Sequence, residues 1–364
     1  MTDREALIRA FLEDAGWQDA VRAPVPGDAS TRRYERLVRR SMNKGVKAVL
    51  MDAPKAAEGA SEPEGATVDE RKSIGYNAVA RLAGPNIEAF AAIATALSTR
   101  GFSAPKILAA DLENGFLLLE DLGDDLFARV IEKQPEQEEP LYVAAVDTLA
   151  AIYRSSFPAE LPFEGTSWRV RTYDEAALLA ELDLCLDWYA KDLGYNIQDG
   201  ARAEWEALWR VAFTTLDAHA PGLALRDYHA ENLFWLSERE GTSRVGLIDF
   251  QDGLFVHPTY DLVSFIEDAR RDVSPELADP LIARFCEKAG VKDDADFRAA
   301  YAVMGAQRNS KVIGFPVRAD LMFGKPQYRA LIPRVRKHLN HDLSHPALKD
   351  IRRWYQRHIP EIIL

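Results

Sequence analysis

Three oxygen-bearing side chains dominate the chemistry this sequence can offer. Asp227 lies in the run Leu225-Arg226-Asp227-Tyr228-His229-Ala230-Glu231-Asn232-Leu233-Phe234, with Asn232 at the entry to a short apolar strand. Asp249 ends a second apolar strand, Val245-Gly246-Leu247-Ile248, ahead of Phe250-Gln251-Asp252. An Asn and an Asp presented by the two strands of a hairpin suit one hard cation, which leaves Asp227 free to accept a proton. Phosphoryl transfer uses that division of labour: cations neutralise charge spread over a triphosphate, while a positioned carboxylate orients the attacking hydroxyl. A lone Asp or Asn in a loop more often makes a turn or caps a helix. The spacing of all three, with strands around them, favours the phosphotransferase reading.

The elements that must position these residues read as two unequal lobes, because 364 residues exceed one ordinary core. Residues 3–15 have a helical pattern. A turn at Pro26-Gly27-Asp28 then leads to strands around Arg33–Val38 and Lys47–Met51. Residues 53–72, rich in Ala, Glu, Gly and Pro, are predicted to form a mobile insertion. Ile87, Phe90, Ile93, Ala94 and Leu97 recur at helical spacing before Gly101, and a hairpin follows at Lys106–Ala110 and Phe116–Leu119. These elements predict a nucleotide-binding lobe over 1–121 and a catalytic, acceptor-binding lobe over 122–364. The second is mostly helical, with candidates at 140–155, 174–190, 200–219, 259–270, 276–289, 294–311 and 348–357 and one strand-containing segment at 223–250. The fold class is α+β.

Composition narrows the partners. With 47% hydrophobic and 28% charged residues the chain can bury a sizeable core. A net charge of −12 weighs against nucleic acid as a partner. Cys185 and Cys286 lack metal-ligand spacing and read as buried thiols of a reducing compartment. Residues 1–14 mix charges into an amphipathic pattern unlike a signal peptide, and no stretch approaches the length of a membrane span. The expectation is a cytoplasmic protein with no membrane partner.

The catalytic run resembles that of aminoglycoside phosphotransferases and the related choline and homoserine kinases, and Ile248-Asp249-Phe250 matches their metal-binding Asp. The resemblance implies a protein-kinase-like two-lobed fold, ATP and Mg2+ as cofactors, Asp227 as catalytic base, and Asn232 and Asp249 as metal ligands. It also implies a hinge at Phe116–Gly123, where backbone groups near Glu120 and Leu122 receive adenine, and an Asp261 that buttresses the catalytic loop. A narrower resemblance is to bacterial anomeric sugar kinases acting on C1 of N-acetylmuramate and N-acetylglucosamine in peptidoglycan recycling. It rests on Gly27-Asp28-Ala29-Ser30-Thr31-Arg32-Arg33-Tyr34, Ala48–Pro54, Asp249–Asp252 and Gln307-Arg308-Asn309-Ser310-Lys311-Val312-Ile313-Gly314. A small-molecule sugar is the partner this implies. Other acceptors of the wider family (aminoglycoside, choline, homoserine, ketosamine) and a nucleotide-binding pseudokinase scaffold are the alternatives.

Two positions depart from the wider family. Leu225 stands where a His usually opens the catalytic loop, and Met51 where a strand Lys would reach the phosphates; a thioether cannot replace that cation. Arg32, Arg33 and Lys47 are nearby cations, of which Arg33 or Lys47 is favoured here. Gly27, Asp28, Ser30 and Thr31 would form the turn over the triphosphate. For the acceptor, Asp252 suits sugar hydroxyls, Arg308 and Lys311 share one helical face and suit a carboxylate, and His229, Trp168 and Arg171 complete the candidate pocket.

Overall fold

Arg4–Asp14 (α1) leads into an antiparallel sheet of Val21–Val25 (β1), Arg33–Arg39 (β2), Val46–Asp52 (β3), Ile107–Asp111 (β4) and Phe116–Glu120 (β5), in the order β1-β2-β3-β5-β4. The computed structural model describes residues 4–25, 32–39, 45–54, 65–82 and 87–364. Gly27, Asp28, Ser30 and Thr31, expected over the phosphates, lie outside the described residues, as do residues 55–64 of the expected insertion.

Strand alternation gives the sheet two different apolar faces. Leu37, Ala48, Leu50, Phe116 and Leu118 pack with Ile8, Phe11 and Leu12 of α1. Met51, Leu117 and Leu119 belong instead to the core that continues into the larger lobe.

Between β3 and β4 lie Val68–Ile74 (α2) and Ile87–Ser98 (α3). The first corrects the expectation of a mobile stretch up to residue 72. Thr67 caps α2 in a reciprocal box, its side chain accepting from Glu70 N at 3.3 Å while Glu70 Oε2 accepts from Thr67 N at 2.7 Å. Buried Arg71 donates to Asp174 at 2.5 Å and to the Val79 carbonyl at 2.9 Å. Composition misses this anchor because it is a paired charge with a partner a hundred residues away, rather than an apolar side chain. The buried face of α3 meets the second lobe through Phe90, stacked on Phe250 with centroids 4.8 Å apart.

The larger lobe runs through Phe127–Lys133 (α4), Glu138–Arg154 (α5), Glu160–Phe163 (β6), Thr166–Arg169 (β7), Glu175–Leu184 (α6), Asp199–Phe213 (α7), Gly222–Ala224 (β8), Leu233–Trp235 (β9), Val245–Leu247 (β10), Leu254–Val256 (β11), Thr259–Ile266 (α8), Ala278–Ala289 (α9), Ala295–Phe323 (α10), Ile332–Asp342 (α11) and Lys349–His358 (α12). Each helix predicted in this lobe is present, whereas α4, α11 and the β6–β7 hairpin were not expected from periodicity. α10 passes through Gly314 and Pro316 and ends at Phe323, well beyond the predicted stop at 311. A Cβ on Gly314 would lie 2.1 Å from the Leu184 carbonyl oxygen, so glycine here permits close helix contact. Two short ladders, β9 with β10 and β8 with β11, frame the loop that carries Asp227. Both cysteines are buried thiols. Among the described residues no helix is long and apolar enough to cross a membrane.

Candidate active site

The chain leaving β8 turns sharply at Arg226, whose φ of +70° is left-handed and costly for a residue with a Cβ. Three attachments hold it there. The Asp261 carboxylate, in the first turn of α8, accepts Leu225 N at 2.6 Å and Arg226 N at 2.9 Å. Ser264 Oγ donates to the Arg226 carbonyl at 3.5 Å, and the buried Arg226 guanidinium pairs with Glu181 at 2.5 Å. Burial pushes the Asp261 carboxyl up to about 7, opposed by its two amide bonds. Leu225 is buried and fills apolar space, while its amide takes the Asp261 bond.

Asp227 emerges from this turn half-buried, and among the described residues its carboxylate accepts no hydrogen bond. Asn232 is oriented from behind. Its Nδ2 donates to the Asp227 carbonyl at 3.0 Å, contacts His229 Nε2 at 3.2 Å and reaches Asp249 Oδ2 at 3.4 Å. An amide nitrogen only donates, so His229 Nε2 accepts, and Asn232 Oδ1 is left as an acceptor. Burial drives His229 well below its ordinary value and keeps it neutral, with Arg270 and Arg308 adding to the effect.

Asp249 also has left-handed backbone, φ +59°, which sends its carboxylate out of the β10 end towards the cleft. Enclosure raises its pKa and the Asp227 charge adds to that, while a 2.8 Å bond from Gln251 Nε2 and the Arg32 cation oppose it. Arg32 NH1 lies 3.9 Å from Asp249 Oδ1, and the Arg32 side chain also bonds the Tyr34 hydroxyl. Crowded carboxylates beside an Asn whose amide oxygen makes no hydrogen bond among the described residues supply oxygen donors of the kind a hard divalent cation takes. Among the described residues no three His, Cys, Asp or Glu side chains close a cage, so a cation here would share its coordination with ligand oxygens.

The remaining expected residues divide sharply. The favoured cations are corrected: Arg33 is exposed and alternates onto the α1 side of β2, and exposed Lys47 lies near the start of β3, roughly 13 Å along the strand from Met51. Arg32 is the cation that approaches Asp249. Met51 itself is fully buried in the apolar core. At the hinge, Glu120 accepts Arg239 at 2.5 Å and Leu122 packs within reach of Gly246. Asp252 does approach the site, and its Oδ2 accepts Arg81 Nε at 2.8 Å.

Arg308 and Lys311 are corrected as an acceptor pair. Arg308 is buried and donates to Ser264 Oγ at 2.6 Å, behind the catalytic loop. Lys311 pairs with Glu181 at 2.7 Å. Their whole motif is a packing hub, since Gln307 donates to the Leu178 carbonyl, Asn309 to Glu267 and Asp342, and Ser310 contacts Tyr355. Trp168 lies on β7 against the apolar core, and the Arg171 carbonyl accepts Phe255 N at 2.8 Å. Two residues had no signal in the sequence pattern: Glu181, which unites Arg226, Lys311 and Tyr173, and Arg81, which touches both Arg226 and Asp252.

A small antiparallel lobe over a helical lobe, with a loop carboxylate beside an Asn–Asp pair, defines a protein-kinase-like phosphotransferase. Comparison with known proteins agrees: the model of the phosphotransferase enzyme family matches residues 21–301. The chain belongs to that family. It is 42% identical to the N-acetylmuramate/N-acetylglucosamine kinase of Caulobacter vibrioides, over 99% of this chain and 98% of that one. It is 30% identical to the kinase of the same name in Pseudomonas putida, over 86% and 80% of the two chains. Solved structures share the fold at much lower identity. A choline/ethanolamine kinase family protein from Mesorhizobium loti superposes with a TM-score of 0.55 at 15% identity, covering 99% of this chain and 98% of that one. Choline kinase from Streptococcus pneumoniae gives 0.53 at 12%, covering 92% and 98%.

Proposed function

We propose that this chain transfers the γ-phosphoryl group of ATP to the anomeric hydroxyl of N-acetylmuramate and N-acetylglucosamine. The observation that carries the chemistry is the convergence of Asp227, Asn232 and Asp249, with Arg32 facing Asp249 at 3.9 Å. The acceptor follows from the relative that is 42% identical over nearly the full length of both chains.

In this reading residues 1–121 bind the nucleotide and 122–364 supply catalysis and the acceptor site. Backbone groups near Glu120 and Leu122 receive adenine, and Gly27, Asp28, Ser30 and Thr31 cover the triphosphate. Arg32 meets phosphate oxygens in place of the strand Lys that Met51 replaces. Asn232 Oδ1 and the Asp249 carboxylate hold Mg2+, which when bound neutralises triphosphate charge. Asp227, with both oxygens open, orients the C1 hydroxyl and takes its proton as the oxygen bonds to phosphorus. Asp252, its charge balanced by Arg81, accepts sugar hydroxyls. A cytoplasmic setting fits the ATP requirement and the two buried thiols.

The deciding experiment incubates purified protein with Mg-ATP and each sugar and reads products by mass spectrometry and phosphorus NMR. A sugar 1-phosphate is expected from wild type, and Asp227→Asn should lower turnover by at least about a thousandfold while still binding ATP. Failure of both sugars to become phosphorylated refutes the assignment.

A further inference from the structure

Glu181 stands on α6, 45 residues before Arg226 in the chain, yet its carboxylate ends against that guanidinium. The side chain is 1% exposed, and an ionised carboxylate persists at such depth only with charged or hydrogen-bonding partners. Its Oε1 accepts Arg226 NH2 at 2.5 Å and Lys311 Nζ at 2.7 Å, while its Oε2 accepts the Tyr173 hydroxyl. Burial alone would raise the Glu181 pKa, but Lys311 and Arg226 outweigh it and hold the group below its ordinary value. The carboxylate therefore stays charged.

The two cations on that oxygen differ in what they are attached to. Lys311, on α10, also donates to the Tyr260 hydroxyl of α8 at 3.4 Å, a contact between helices. Arg226 belongs to the catalytic loop itself. Its NH1 donates to the Arg81 carbonyl at 2.8 Å, its guanidinium lies 5.2 Å from the Tyr173 ring centroid, and its backbone holds the left-handed φ of +70° from which Asp227 emerges. Asp261 and Ser264 fix this residue at its amide and carbonyl, and Glu181 fixes it by the side chain. A strained residue keeps such a conformation only while its surroundings over-determine it. Removing the charge at 181 strands a buried guanidinium without its carboxylate and favours a shift of the peptide that carries Asp227. A displacement of about 1 Å at a reacting group costs roughly a hundredfold in rate.

Resting on the phosphotransferase reading above, we infer that Glu181 is a positioning residue for the reaction, holding Arg226 and through it the Asp227 carboxylate in attacking geometry, while its bond to Lys311 serves packing alone. The measurement is kcat and KM, for ATP and for whichever of the two sugars wild type phosphorylates, at a temperature where circular dichroism shows every variant folded. Glu181→Gln should lower kcat roughly thirtyfold to a hundredfold and leave both KM values within about threefold. Lys311→Met should keep kcat within about threefold, because Oε1 then serves Arg226 alone. Arg226→Met should lose about as much kcat as Glu181→Gln, and the double variant should fall no further than the weaker of the two singles, since both changes break one link. Wild-type kcat in Glu181→Gln, a loss carried by KM, an equal loss in Lys311→Met, or losses that multiply in the double variant would each overturn the inference. Should Glu181→Gln not fold, Glu181→Asp replaces it: the carboxylate retreats by one methylene, so kcat should drop about tenfold with both KM values kept, and an unchanged kcat sinks the inference. Wild type that phosphorylates neither sugar defeats the kinase reading itself, whereas each outcome above, read with an active wild type, bears on Glu181 alone.

Discussion

The Asp261 carboxylate accepts the backbone N–H of Arg226 at 2.9 Å, and Arg226 is the left-handed residue that aims Asp227 into the cleft. Leu225 supplies apolar bulk and gives its own amide to the same carboxylate. Asp261→Asn keeps the size but turns one acceptor into a donor facing a buried N–H, a mismatch worth about 1–3 kcal/mol. Turnover should drop roughly tenfold to a hundredfold with the KM for ATP changed less than about threefold. A variant with wild-type kcat would show that the clamp does not set the geometry of Asp227.

Arg32, rather than Arg33 or Lys47, faces the Asp249 carboxylate. Arg32→Met should therefore reduce kcat/KM for ATP about a hundredfold, while Arg33→Met and Lys47→Met change it less than about threefold. Adding Met51→Lys to Arg32→Met should not restore activity. Met51 is fully buried among Leu117, Leu119 and α3, and an unpaired ammonium there costs at least about 2 kcal/mol of stability. Rescue by that lysine would mean the strand position still faces the phosphates.

The position of the Asp227 loop beside Asp249 and most helices could be read from the chain because they rest on local pattern: Asp227, Asn232 and Asp249 lie on or next to one short hairpin, and α5, α7 and α9 have clear helical periodicity. What could not be read depends on distant partners. Helical spacing puts Arg308 and Lys311 on one face, but only tertiary structure buries Arg308 against the Ser264 hydroxyl and pairs Lys311 with Glu181. Arg71 and Arg81 sit in or beside a segment whose composition suggests disorder, yet each is fixed by a carboxylate of the other lobe, Asp174 and Asp252. The candidate helix stops at 311, whereas α10 runs on through Gly314 and Pro316 to Phe323, and close packing against Leu184 requires the glycine.

That contact gives a stability test free of catalysis. A Cβ at position 314 would fall 2.1 Å from Leu184 O and 2.9 Å from Cys185 N, and both obstacles are backbone. No rotamer change relieves such a clash, so the helices must separate or shift. Gly314→Ala should lower stability by about 3 kcal/mol, measured as a displaced urea midpoint. An unchanged midpoint would mean that α10 and the turn after α6 stand further apart than described.

His257 gives stability a defined pH dependence. Its ring is buried, Thr259 lies 2.8 Å from Nδ1, and burial together with the neighbouring His219 lowers its pKa to about 3. An unfolded chain takes up the same proton near 6.5. Between those values the unfolded state holds more protons than the folded state, so stability is full above about pH 6.5 and falls as the pH drops towards 3. At pH 5 this one residue should cost about 2 kcal/mol relative to pH 7. His257→Asn can retain an acceptor near Nδ1 yet cannot titrate, so its loss of stability between pH 7 and 5 should be smaller than that of wild type by about this amount. Urea melts at both pH values measure the difference directly. Parallel losses in the two proteins would mean that His257 is solvated enough to take its proton while folded, which its enclosure between His219, Phe297 and Thr259 argues against.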